Sequence, residues 1–257
     1  MRMWRVIWHL MDTAFIIGNG ESRKIFPIET LKGKGIVYGC NAIYRDHPTL
    51  CDHIVAVNPP MYEELKQWYD ATDKSTQIHG IEDISRWNYI CDGDREMDVP
   101  RGLKIYRIWR GGNMKKGGRI KTEDFSNNRG SGCSAVLMAA ESGIKNVVIL
   151  GFDILGAQQW EMPEPSRIQN NIYKNSTNYP DRQSMKAYLK YEWMYQLRQI
   201  FRRFPDTNFR FINRREYLDG NTFLRWYFDQ PNIRSGIYAD LQRWITGRRD
   251  DISWMRL

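Results

Sequence analysis

The chain has 257 residues, 42% of them hydrophobic, ten Trp, a formal net charge of +8 and a pI near 9.3. That is enough material for one large α/β domain, or one domain with an appendage, and the charge biases it towards polyanions or phosphorylated small molecules. No apolar stretch approaches the roughly 20 residues of a membrane span, and four cysteines without paired spacing exclude a disulfide scaffold and read as free thiols in a reducing compartment.

Residues 1–10 lack a small-residue cleavage site and do not read as a signal peptide, so a cytoplasmic protein is expected, with residues 1–12 an N-terminal extension and Met11 a natural start. The first strand is expected at 14–17, an apolar run that stops at Gly18-Asn19-Gly20 and leads through Glu21 to Ser22. A glycine turn of this kind either cradles a phosphate at a helix N-terminus or is an ordinary strand–turn–helix connection. A second strand is expected at 36–41 and a third at 53–57, the latter followed by Asn58-Pro59-Pro60 and a helix over 61–69. Three strands thus end in asparagine: Asn19, Asn41 and Asn58. At the carboxyl edge of a doubly wound sheet, three neutral amides suit a base, a ribose or a sugar; the alternative is a turn preference of Asn.

Asp92-Gly93-Asp94 is an Asp-x-Asp pair of the kind that holds Mg or Mn in nucleotide-sugar enzymes, but it reads better as a turn. Cys51-Asp52-His53 with His47 is too irregular for a zinc site, and no metal is expected. A strand is expected at 103–109, inside a run from 99 to 122 with eight basic residues and no acidic one. Arg107, Arg110, Lys115, Lys116, Arg119 and Lys121, spaced by glycines, suit a phosphate backbone, or only solvate a loop.

Arg129-Gly130-Ser131-Gly132 opens a buried Ala- and Met-rich helix over 133–142, and 146–150 is the clearest buried strand, ending at Gly151-Phe152-Asp153. Residues 155–182, rich in Asn, Gln, Tyr and Pro, have no apolar periodicity and read as a lid that orders on binding. An amphipathic helix is expected over 183–204, a last strand at 208–212 and two short helices over 215–257. The fold class is therefore α/β: a Rossmann-like, doubly wound, mostly parallel sheet over 13–215 with a lid, and a helical C-terminal appendage over 216–257.

Gly18-Asn19-Gly20-Glu21-Ser22, Cys40-Asn41-Ala42-Ile43-Tyr44, Asn58-Pro59, Arg129 to Gly132 and Gly151-Phe152-Asp153 occur in this order. In this the chain resembles glycosyltransferase family 42, the bacterial sialyltransferase-like proteins, and Rossmann-like bacteriophage proteins that share the opening Gly-Asn-Gly-x-Ser. The resemblance covers roughly residues 13–215. It implies an inverting, metal-independent sugar transfer from a nucleotide sugar, with no tightly bound cofactor. Gly18, Asn19, Gly20 and Ser22 would hold the donor phosphate and ribose. Asn41 and Asn58 would contact the nucleotide or sugar, and Arg129, Ser131 and Gly132 would lie at its base-binding end. Where the family has two tyrosines near the leaving phosphate, this chain has Leu155 and, roughly, Glu161. Where the family has its tyrosine and histidine base, it has Tyr179-Pro180-Asp181-Arg182, and its four histidines all precede residue 80.

The expected function is a nucleotide-sugar-dependent glycosyltransferase, with Asp181 as base beside Tyr179 and Asp153 as the rival. The +8 charge, the basic run and the phage-type resemblance point to DNA as acceptor, at a hydroxymethylated base flipped from the duplex. Two other readings stay open: a pterin-type pyrophosphokinase using Mg at Asp92 and Asp94, and a non-catalytic nucleic-acid-binding protein on the same fold.

Overall fold

The computed structural model describes residues 12–72, 76–79, 130–154, 170–179, 187–219, 228–248 and 252–255. The expected strand at 103–109, the basic run, Asp92 and Asp94, Arg129, Asp181 and residues 155–169 lie outside these residues.

Among the described residues, seven strands form one sheet in the order β4-β3-β2-β1-β5-β6-β7. They are β1 (Thr13–Ile17), β2 (Ile36–Cys40), β3 (His53–Val55), β4 (Gln77–His79), β5 (Asn146–Leu150), β6 (Asn208–Asn213) and β7 (Ile233–Ile237). Every neighbouring pair is parallel. The chain starts at the centre, winds outward to β4, returns to β5 beside β1, and winds outward the other way. The strand order therefore reverses between β1 and β5, where a doubly wound sheet opens a crevice at its carboxyl edge.

Both faces of the sheet are covered, which explains why its central strands are continuous apolar runs. Thr13, Ala14, Phe15, Ile16 and Ile17 are all fully buried. On one face Ala14, Ile16, Tyr38, Val147, Ile149, Phe209 and Phe211 pack under α2 (Ser131–Glu141) and α3 (Ala187–Arg203). On the other, Phe15, Ile17, Val37, Ile54, Val148, Leu150 and Ile212 meet α1 (Pro59–Asp70) and the C-terminal helix Tyr238–Ile245, together with Tyr173. A short helix, α4 (Arg215–Asp219), follows β6, and Tyr238–Ile245 is α5.

The structure corrects the sequence reading in two places. The glycine turn after β1 does not open an α-helix; it leads into a 3-10 helix of five residues, Glu21–Ile25. Residues 216–257 are not a purely helical appendage either, since β7 pairs with β6 over five residues and the Tyr238 hydroxyl reaches Ser22 at 3.2 Å. The sequence Ile233-Arg-Ser-Gly-Ile has too little apolar alternation to announce a strand, and β6 supplies the ladder that makes it one. Helix α2 lies almost entirely in the core. Its small residues let it approach closely, and the ring of Phe152 occupies the space that a Cβ on Gly132 would need.

Candidate functional site

A cavity of about 160 Å³ opens at the carboxyl edge where the strand order reverses. The turn after β1 (Gly18, Asn19, Gly20), the end of β2 (Cys40, Asn41), the start of α2 (130–133), the end of β5 (151–154), Asn170 and Asn171, and Trp193 and Leu197 of α3 line it. Seven residues singled out in the sequence thus meet around one space: Gly18, Asn19, Gly20, Asn41, Ser131, Gly132 and Asp153.

Asp153 is the organiser. Its Oδ2 accepts from the Ser22 backbone N–H at 2.9 Å and from the Asn170 amide, and its Oδ1 accepts from Asn213 Nδ2 at 3.2 Å. One carboxylate thereby joins the ends of β1, β5 and β6 to the 170–179 segment. Burial pushes its pKa up, against the hydrogen bonds from Ser22, Asn213 and Asn170, which favour the charged form. No lysine or arginine is among the described residues lining the cavity.

The Gly18–Gly20 turn has a different job from the phosphate cradle expected of it. Gly18 N donates to Leu150 O at 2.8 Å, Gly20 N to Gly151 O at 2.7 Å, Glu21 N to Asn170 O at 3.3 Å, and Ser22 N to Asp153. These N–H groups are spent inside the protein. A Cβ on Gly18 would meet the Phe152 ring at 2.7 Å, and one on Gly20 would meet Asp153 Cγ at 2.5 Å. The glycines let two strand ends touch. Ser22 is buried beneath the cavity rather than lining it.

At the start of α2, by contrast, N–H groups have no acceptor among the described residues. The helix begins after Gly130, has no side-chain cap, and its first internal bond runs from Ser134 N to Gly130 O. The N–H groups of Ser131 and Gly132 therefore have no acceptor within the helix. Ser131 Oγ donates to Asn41 Oδ1 at 2.7 Å and accepts from Val57 N at 3.2 Å, which ties α2 to the ends of β2 and β3. Asn41 takes φ of 53° there, a left-handed conformation that asparagine tolerates better than most residues.

Opposite lies Asn19, buried to about nine-tenths. Its Nδ2 donates to the Tyr179 hydroxyl at 3.0 Å, while Oδ1 is buried and has no partner among the described residues. An unpaired buried carbonyl costs roughly 1–3 kcal/mol, so this acceptor is left to be satisfied. The cavity is thus polarised. Asn19 and Asp153 bring acceptors to one side, the first turn of α2 brings backbone N–H groups to another, and Phe152, Ile154, Trp193 and Leu197 supply an apolar side.

Residues 170–179, part of the expected lid, are docked. Ile172 N donates to Asn19 O at 2.9 Å, the buried Arg23 donates to the Tyr173 hydroxyl at 2.8 Å, and Arg45 donates to Ser176 Oγ at 2.8 Å and Thr177 O at 2.9 Å. Arg45 also grips Glu64, which accepts from Tyr44 Oη at 2.5 Å and Asn178 Nδ2 at 2.7 Å. Several Asn and Tyr residues read as ligand contacts are therefore spent inside the protein. Tyr179 stands behind the cavity and orients Asn19.

Asn58 does not join the site: it is exposed, precedes α1 and borders no part of the cavity. Sequence reasoning missed Phe152, Trp193 and Leu197 as lining residues, having assigned the last two to the core. It also missed Asn213, although that residue ends β6 much as asparagines follow β1, β2 and β3, so the same pattern read one residue further would have found it. Among the described residues no group of three His, Cys, Asp or Glu could hold a metal, and no helix is long and apolar enough to cross a membrane. Compared with known proteins, the chain matches no family model, no curated protein and no solved structure.

Proposed function

We propose that the protein is a nucleotide-sugar-dependent glycosyltransferase whose donor nucleotide binds in the cavity between β1 and β5. The observation that carries this reading is the polarity of that cavity. The ribose or sugar hydroxyls donate to Asn19 Oδ1 and Asp153, the phosphate accepts from the first turn of α2, and a ring lies against Phe152 and Trp193. Phosphate binding thus moves from the Gly18–Ser22 turn to the α2 N-terminus, where backbone donors and the helix dipole favour an anion. A space of this size is below the roughly 300–1,000 Å³ of a typical ligand pocket. It takes one ring of the donor and leaves the rest outside.

In the reaction, the acceptor hydroxyl attacks the anomeric carbon as the carbon–oxygen bond to the phosphate breaks, and a base takes the hydroxyl proton. Asp181 is the base in this proposal. Asp153, tied by three donors, orients the donor. The acceptor we propose is DNA, on the strength of the basic run at 99–122 and the net charge of +8.

The test is thermal unfolding of the whole protein against nucleoside monophosphates, diphosphates and their sugars, together with nucleotide-sugar hydrolysis. A donor present at about 100 times its Kd stabilises by about 2.7 kcal/mol, and Asn19→Leu should remove that shift. A panel that shifts nothing, or a shift that Asn19→Leu leaves intact, overturns the reading.

A further inference from the structure

Arg210 on β6 and Arg234 on β7 are direct partners in the parallel register. Phe209, Phe211 and Ile233 pack under α2 and α3. By strand alternation both arginines therefore lie on the opposite face of the sheet, in the amino-terminal half of their strands, away from the cavity. Neighbouring strands lie about 5 Å apart, and the Arg234 charge acts on Arg210.

Among the described residues, neither guanidinium has a carboxylate partner. Arg210 Nη1 donates to Phe209 O at 3.0 Å, and Arg234 Nη1 donates to Pro231 O and Ile233 O at 2.7 Å each. These backbone contacts hold one nitrogen of each head. Arg210 Nε is buried and has no partner among the described residues. The Trp254 indole covers Arg210, with Cζ 5.2 Å from the ring centroid, and is itself packed edge-on against Trp244 at 5.6 Å. Burial, together with the Arg234 charge, pushes the Arg210 pKa down to about 10.

We infer that Arg210 and Arg234, backed by Trp254, form a binding site for a phosphate group, distinct from the cavity. Two neighbouring guanidinium groups match phosphate geometry, and an arriving anion relieves the like-charge repulsion. The phosphate comes either from a free phosphate or from a nucleic-acid backbone.

The experiment compares thermal unfolding of the full chain in chloride and in inorganic phosphate at equal ionic strength, for wild type, Arg210→Gln, Arg234→Gln and the double variant. Wild type should gain about 2–4 °C in phosphate, each single variant should lose at least half of that gain, and the double variant should lose all of it. In chloride, Arg210→Gln should unfold no earlier than wild type, since it removes an unpaired charge. If Arg210→Gln folds poorly, Arg234→Gln alone carries the test. A short single-stranded oligothymidylate distinguishes the sources. A nucleic-acid ligand predicts about tenfold weaker binding and a shallower salt slope in the double variant, whereas a free phosphate predicts unchanged oligonucleotide binding alongside the lost phosphate shift. An equal phosphate gain in wild type and double variant overturns the site. The nucleotide-sugar shift removed by Asn19→Leu should survive in the double variant, so each site can fail independently.

Discussion

Gly20→Ala separates a structural glycine from one that admits a ligand. The backbone of Gly20 has φ of −67° and ψ of 144°, a conformation open to any residue, so glycine is required here by space alone. An added Cβ would sit 2.5 Å from Asp153 Cγ and 2.6 Å from Gly151 O, roughly 1 Å inside ordinary contact. Neither neighbour can give way freely. Gly151 O accepts from Gly20 N at 2.7 Å, and Asp153 accepts from Ser22 N at 2.9 Å. Overpacking costs about 1–3 kcal/mol, a weakened backbone bond about 0.5–1.5 and one to a carboxylate about 1.5–3. The sum, roughly 3–7.5 kcal/mol, is a large share of the roughly 5–15 that hold a domain together. Thermal unfolding followed by circular dichroism, without ligand, should show Tm lower by roughly 10 °C or more. Gly33→Ala is the control. Gly33 has φ of 73° with nothing within 4 Å of an added Cβ, so only the left-handed backbone is penalised, by about 1–2 kcal/mol. If Gly20→Ala unfolds with wild-type Tm and loses only nucleotide binding, the glycine serves the ligand and the packing argument is refuted.

Glu64 should act as an acid-sensitive clasp. Burial would raise its pKa, but hydrogen bonds from Arg45, Tyr44 and Asn178 outweigh it and hold the carboxylate below its usual range. Its contribution is therefore complete above the unfolded value and is lost as pH falls through the folded one. Protection from hydrogen exchange at 173–179, relative to the intrinsic rate, should fall as pH drops through the folded value and, in Glu64→Gln, should already be reduced at neutral pH; protection equal to wild type in the variant would remove the clasp. The thiols of Cys40 and Cys51 are buried, and burial pushes the first up to about 12 and the second higher still. Peptide-resolved alkylation near pH 8 should leave both unmodified until the protein unfolds, and rapid labelling of native protein would contradict the burial. Asp181→Asn should retain donor affinity and lower turnover by roughly 10²–10⁴ if Asp181 is the base; full activity would move the search to Asp153.

The central strands, their parallel order and the edge that bears the cavity were legible in the linear chain. Continuous apolar runs such as Ala14-Phe15-Ile16-Ile17 and Val147-Val148-Ile149-Leu150 bury on both faces wherever they fold. Glycine and asparagine at their ends mark turns by local backbone preference. The use made of those end residues was not legible. Only the contact between the ends of β1 and β5 consumes the N–H groups of Gly18 and Gly20. Only the docking of 170–179 occupies Asn170, Asn178 and Tyr179 while leaving Asn19 Oδ1 unpaired. The strand character of 233–237 arises from the open edge of β6, and the facing of Arg210 and Arg234 from the register between them. A propensity is a property of a few adjacent residues. Which donor or acceptor stays unpaired depends on neighbours more than a hundred positions away, and in this protein those unpaired groups carry the proposed chemistry.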